Sequence, residues 1–307
     1  MTAKDELLSR LEYLSAAKDL PEVIDRGIAR DTHNGVANLL RKGLAIVVFN
    51  ILEDYIKKRT TEALKRISFS GIGFDKLPSK LQDASILDAL TSLAFKAKLD
   101  KKDNANNWRA LIQAEALKIH STGNNVFELS EFSLTPSSSN INPDDIGAIL
   151  SAFGINGGWN TLKRISDNIG GGLPDLGQSY KNAASRRHSC AHEANFNYNY
   201  SWLSSIKGEL LAISASLDIA LEARCRQVEA SPDKNMVDHV LDQALNYRFL
   251  HKTNNLYKEL LSFDGTSRKN WTDLNDALLQ IRPRLGGNNE FLILLDSQKG
   301  ILDWHVN

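Results

Sequence analysis

The chain has 307 residues, 42% of them hydrophobic and 24% charged, the make-up of a folded globular protein with a core of useful size. Lys+Arg and Asp+Glu both number 37, a balance that excludes coating nucleic acid by bulk charge, though not a local basic site. Its two cysteines, Cys190 and Cys225, are too few for a disulfide framework and fit a reducing cytoplasm.

The first residues, MTAKDELLSRLEYL, mix charges among apolar side chains and lack the apolar core of a secretory signal. The longest apolar stretch, LAIVVFNIL at 44–52, falls short of the ~18 residues of a membrane span, so a cytoplasmic protein without a membrane partner is expected. Residues 4–20 read as a short amphipathic helix stopped by Pro21. Residues 36–67 read as one long helix, apolar almost all round from 39 to 56, which belongs in the middle of a bundle. The segment 68–85 reads as a loop, 86–100 and 106–120 as a helical pair, and the Ser-rich stretch at 135–140 as a loop. In NPDDIGAIL, Asn142 is the cap of a helix, Pro143 its first residue, and two acids occupy the first turn. Glycines at 157–158 and 170–172 punctuate the next stretch of chain. A helix then begins near Pro174 and runs into SRRHSCAHE at 185–193. The asparagines of NFNYNY at 195–200 interrupt it, because Asn is a poor helix former and a good cap. Another long helix covers 200–228.

Composition changes at ASPDKN, 230–235. Beyond it YRFLHK and FLILLD read as strands, the second turning through 296–300 into ILDWHV as a hairpin partner. A helix over 272–285 is ended by Gly286 and Gly287. The fold class expected is mainly α: a helical domain over 1–230 with an insertion at about 68–140, then a small α+β domain over 235–307.

SRRHSCAHE gathers two arginines, two histidines and a cysteine into nine residues. Three readings compete. As a metal site, His188 and His192 sit at i and i+4 on one helical face, which suits two imidazoles on zinc. Cys190, however, projects about 160° away on a helix. Glu193 is the one other local candidate, so no metal is expected. As an ordinary helix end, Arg186, Arg187 and His188 suit the dipole. As a nuclease site, Arg187 would fork onto a phosphate and His192 would move a proton near neutrality. Five residues apart, these two diverge by about 140° on an unbroken helix. Either the helix ends or distorts before His192, or two chains face each other and share one site.

Glu53 adds a second observation. It projects within about 60° of Ile46, Phe49 and Ile56, on an apolar face. A buried carboxylate must be paired or protonated. An arginine from another helix is the obvious partner, with Arg187 the first choice; solvation at the open end of the bundle is the alternative. Asn50 and Asp54 lie further round.

RHSCAH, 187–192, resembles the Arg-x4–6-His signature of the HEPN superfamily of helical ribonuclease domains. LLRKGLAIVVFNILEDYIKKR at 39–59, with its LED, is similar to the long first core helix of RiboL-PSP-type HEPN proteins. DDIGAILSAFGINGGWNTL at 144–162 resembles the segment that precedes the motif in that group, and the helix over 200–228 fits the one that comes after it. The resemblance covers roughly residues 1–230. It implies a HEPN-type helical bundle with inserted helices, and a cofactor-free, metal-independent endoribonuclease acting as a toxin or phage-defence effector. It gives Arg187 the scissile phosphate, His192 the proton transfer and Glu53 the orientation of Arg187. His188 fills the polar position after the arginine, where Asn is common; Asn50 and Glu193 complete the supporting set. The substrate would be RNA, cut by its own 2′-hydroxyl to leave a cyclic phosphate. Partners would be a second copy of the chain, both motifs lining one cleft, and an antitoxin or defence-system protein. The apolar faces of residues 44–56 and of the helix from 200 also ask for a homodimer. The alternative is a non-catalytic HEPN scaffold that binds RNA, nucleotide or protein.

Overall fold

Thr2 opens the first helix with a capping box: its hydroxyl accepts the Asp5 N–H, and the Asp5 carboxylate accepts the Thr2 N–H. That helix is α1 (Ala3–Lys18). After it come α2 (Asp31–Phe69), α3 (Ser79–Asp83), α4 (Ala89–Lys102), α5 (Trp108–Ser121), α6 (Pro143–Ala152), α7 (Trp159–Asn168), α8 (Leu176–His192) and α9 (Tyr200–Ala230). The remainder is β1 (Asn246–Lys252), β2 (Tyr257–Leu260), β3 (Lys269–Trp271), α10 (Leu274–Asn288), β4 (Glu290–Leu295) and β5 (Ile301–His305). The fold is mainly α with a mixed sheet at its end, as the sequence leads one to expect. This computed structural model describes residues 1–103, 107–134 and 140–306, so most of the Ser-rich stretch expected as a loop lies outside the described residues.

The long helix expected at 36–67 is α2, which begins earlier. It corrects one expectation, since by length and composition alone it could cross a bilayer, with a window of mean hydropathy 1.5. One face of it is nonetheless core: Val48, Phe49, Leu52, Tyr55 and Ile56 are each no more than 2% exposed, whereas Leu39, Leu40 and Val47 are exposed, so the helix is not buried all round as its composition leads one to expect. The Phe49 ring packs 5.5 Å from that of Tyr180, and the Tyr55 hydroxyl donates to the Ser214 carbonyl at 3.1 Å. Asn142 caps α6 as expected, accepting from the N–H groups of Asp144 and Asp145 at 2.8 and 3.0 Å. The segment expected as one loop over 68–85 instead carries a 3-10 turn at Phe74–Lys76, α3, and a π-helical turn that starts at Ala84 and leads into α4.

The chain divides into two compact units. One comprises residues 57–161 and 219–245. At its centre Glu222, 1% exposed, accepts from Arg59 at 3.0 Å and Arg226 at 3.2 Å, and also from Arg66. Arg224 donates to the carbonyls of Met236, His239 and Gly154 at 2.8–3.0 Å, and burial lowers its pKa to about 10.

The other unit comprises residues 1–56, 162–218 and 246–307. Its sheet has the order β3-β2-β1-β4-β5, with β1 and β4 parallel and the other pairs antiparallel. β1 and the β4–β5 hairpin match the sequence reading, and β2 and β3 do not appear in it. The helix expected over 272–285 is α10, but Gly286 and Gly287 do not end it: it runs to Asn288, and Asn289 caps it in the left-handed conformation, a role open to Asn as well as to Gly. On one face Leu250, Leu292 and Leu294 pack against Ala277, Ile281 and Leu285 of α10. On the opposite face, the Trp304 indole donates to the buried Asp218 carboxylate of α9 at 2.6 Å. Lys4 of α1 reaches Asp303 at 3.0 Å. At Gly170, φ is +84° and an added Cβ would run into the Phe263 ring, so that glycine is required by both conformation and space.

Candidate active site at the end of helix α8

Asp175 starts α8 by accepting the Gln178 N–H at 2.8 Å. The helix then runs unbroken through the motif: Glu193, its C-cap, still donates its N–H to the Ser189 carbonyl at 2.9 Å. The end or distortion expected before His192 is therefore absent. The local helical bonds outweigh the poor propensity of the asparagines, which begin only at 195. Arg187 and His192 thus diverge by about 140° around one helix.

The side chains that do meet are His188 and His192, with ring centroids 4.6 Å apart and both rings exposed. Cys190 points inward, and burial pushes its thiol up to about 11 against the pull of Lys42. Arg186 and Arg187 are half-buried. Nη1 of Arg186 and Nε of Arg187 are shielded from solvent, yet among the described residues neither finds a hydrogen-bond acceptor. The Arg186 guanidinium lies 4.6 Å from the centre of the Trp202 ring.

Glu53 is buried, at 6% exposure, on the apolar face where the helical spacing places it. It has interaction partners, but no hydrogen bond or ion pair joins it to Arg187, which corrects the expected pairing. Helical periodicity fixes the face a side chain takes; it does not fix which residue of the neighbouring helix lies opposite. Asn50 is exposed and lines a groove with Arg10 and Tyr13 of α1 and Val47 of α2. Glu193 accepts the Ser189 hydroxyl at 2.8 Å. Among the described residues, no group of three His, Cys, Asp or Glu is placed to hold a metal ion.

Three residues that sequence reasoning missed organise the segment after the motif. Lys42, 8% exposed, donates from Nζ to the carbonyls of Glu193 and Ala194 at 2.7 and 3.3 Å. Arg41, 1% exposed, donates to the Tyr198 carbonyl at 2.7 Å. Asn38 donates to the Phe196 carbonyl at 3.1 Å and accepts the Tyr198 N–H at 2.8 Å. The available signal was two cations, RK, inside a run that is otherwise apolar: buried charge needs a partner, and here backbone carbonyls supply it. The rings of the segment pack together, Phe196 stacked on Trp202 at 6.3 Å and Tyr198 edge-on to it at 5.5 Å. Burial pushes the Tyr198 phenol up to about 12.

A helix end that presents exposed imidazoles beside guanidiniums with unused N–H groups is suited to an anionic, phosphate-bearing ligand. A long helix, α2, with a buried apolar face and an Arg-x4-His motif closing α8 mark the class as a HEPN-type helical domain. The family model for RiboL-PSP-HEPN matches residues 5–223, and the chain belongs to that family. No curated protein and no solved structure matches it. Membership is consistent with a ribonuclease or other RNA-related role.

Proposed function

We propose that the protein is a metal-independent endoribonuclease in which the RNA supplies its own nucleophile. The observation that carries this reading is the unused chemistry at the end of α8. Arg187 Nε has no hydrogen-bond partner among the described residues, and His192 is exposed on the last turn. Arg187 would hold the scissile phosphate with a planar, permanently charged fork. His192 would move a proton near neutral pH. Attack of the 2′-hydroxyl, which gives up its proton to a base, on the adjacent phosphorus forms a 2′,3′-cyclic phosphate and expels the 5′-oxygen, which takes up a proton as it leaves.

The divergence of Arg187 and His192 on one helix favours a cleft shared by two copies about a two-fold axis, with each motif opposite the other. We assign to this activity a toxin or phage-defence role in the cytoplasm, held in check by an antitoxin or defence partner; that role rests on family resemblance. A second reading, a non-catalytic scaffold for RNA, nucleotide or protein, draws support from the missing Glu53–Arg187 pair. Incubating cellular RNA in EDTA with wild type and with His192→Ala separates the two. Cleavage by wild type alone supports the enzyme, and intact RNA in both supports the scaffold. Light scattering at micromolar concentration should give twice the chain mass of 34.1 kDa. A monomer that still cleaves RNA would rule out the shared cleft.

A further inference from the structure

The segment after the motif also walls a cavity that this reaction leaves unused. The cavity has a volume of about 520 Å³, and its lining includes Asp25, Gly27, Ile28, Gly35, Arg41 and Asn197. Its wall is built in advance: Asn34 accepts the Arg26 N–H at 2.8 Å and donates to the Gly27 carbonyl at 2.8 Å, which fastens the loop before α2 to its first turns. Arg41 gives Nε to the Tyr198 carbonyl, and Nη1 to the Val23 carbonyl and to Asp25, both at 2.9 Å. These bonds leave its Nη2, which is not among the atoms sealed from solvent without a partner, as the one guanidinium nitrogen not engaged among the described residues. The side-chain amide of Asn197 is likewise unused among the described residues, and the Asp25 side chain is 51% exposed. An added Cβ at Gly27 or at Gly35 would meet nothing within 4 Å.

The chemistry of this lining is specific. Arg41 and Asp25 neutralise each other, so the cavity offers a donor and an acceptor side by side without net charge. A phosphate would gain from Arg41 and be repelled by Asp25. A neutral group with an acceptor edge next to a donor edge satisfies both. Guanine is such a group: O6 accepts from the remaining arginine nitrogen, while N1–H and the 2-amino group donate to a carboxylate. Ile28, 97% exposed, offers apolar surface to the ring. Asn197 comes five residues after His192 and so lies within about 18 Å of it along the chain. Unpaired RNA bases are read through their edges in this manner.

We propose that this cavity is a base-binding subsite that seats one unpaired guanine of the RNA substrate and so selects where the strand is cut; the proposal rests on the RNA-cleaving reading above. Gly35→Leu is the discriminating variant. Residue 35 lies in the second turn of α2, Leu favours a helix more than Gly does, and its side chain would occupy the cavity. Asn197→Ala, at an exposed position, is the companion. Two readouts serve: cleavage positions in a pool of short RNAs, and affinity of the silent His192→Ala protein for a uridine hexamer with or without one guanosine. Wild type should cut at a fixed distance from guanosine, and the His192→Ala protein should bind the guanosine-bearing hexamer about tenfold more tightly. Adding Gly35→Leu or Asn197→Ala should bring that ratio close to one with the melting temperature undiminished. If wild type cuts without regard to guanosine, or both variants keep the preference, the subsite is wrong and the ribonuclease stands. If no RNA is cut and none is bound, both readings fall.

Discussion

Replacing Lys42 by Met should lower stability by about 2 kcal/mol and unseat the segment just beyond His192. The ammonium is buried and donates to two carbonyls just past the last turn of α8, at 2.7 and 3.3 Å. A hydrogen bond to a charged group contributes about 1.5–3 kcal/mol. A cation at a helix C-terminus contributes up to ~2 kcal/mol when partly buried, but this describes much of the same interaction and is not added again. Methionine keeps the packing of the stem and avoids the cost of burying the ammonium, which holds the net loss near the middle of that range. At roughly 2–4 °C per kcal/mol for a chain of 150–250 residues, and less for a longer one, the melting temperature should fall by about 3 °C. Urea titration should show a lower midpoint with an unchanged slope. Cleavage should fall further than stability does, at a temperature where the variant is fully folded, and Lys42→Arg should recover part of both. A stability within about 0.5 kcal/mol of wild type would mean that water serves those carbonyls equally well and that Lys42 holds nothing in place.

Arg187→Lys should reduce cleavage nearly as much as Arg187→Ala, about 10²-fold, because lysine keeps the charge and loses the fork; a near wild-type rate would show that charge alone suffices. Trp304→Phe removes the indole donor to the buried Asp218 and should cost about 1.5–3 kcal/mol in urea denaturation, whereas no change would mean that the carboxylate is held without it. His305 is buried in the sheet, and burial lowers its pKa from 6.5 to about 4 despite the opposing Asp303. Between these values the unfolded chain takes up a proton that the folded chain does not. Stability from this group is therefore complete above pH 6.5 and is lost as pH falls toward about 4. His305→Gln should flatten that limb of the curve of denaturation midpoint against pH; an unchanged slope would place the titration elsewhere.

Elements set by strong local signals were legible in the sequence. The apolar run of α2, the Asn142 capping box and the β4–β5 hairpin each arise from periodicity or turn chemistry within a few residues. β2 and β3 were not, because YKEL and KNW are short and polar and become strands only through pairing with β1 and with each other. At the site, the burial of Glu53 was readable and its partner was not. Nor could the fastening of residues 193–198 by Asn38, Arg41 and Lys42 be read, since those contacts join positions more than 150 apart in the chain. The unbroken course of α8 through His192 matters most for function. It removes a convergent Arg187–His192 pair within one chain and shifts the weight of the enzymatic reading onto a dimer.

The most direct measurement is the chemistry of the RNA ends left by the purified protein in EDTA. The account predicts fragments with 2′,3′-cyclic phosphate or 3′-phosphate at one end and 5′-hydroxyl at the other, formed by wild type and absent with His192→Ala. Fragments that carry 5′-phosphate, or cleavage that EDTA abolishes and magnesium or zinc restores, would contradict it.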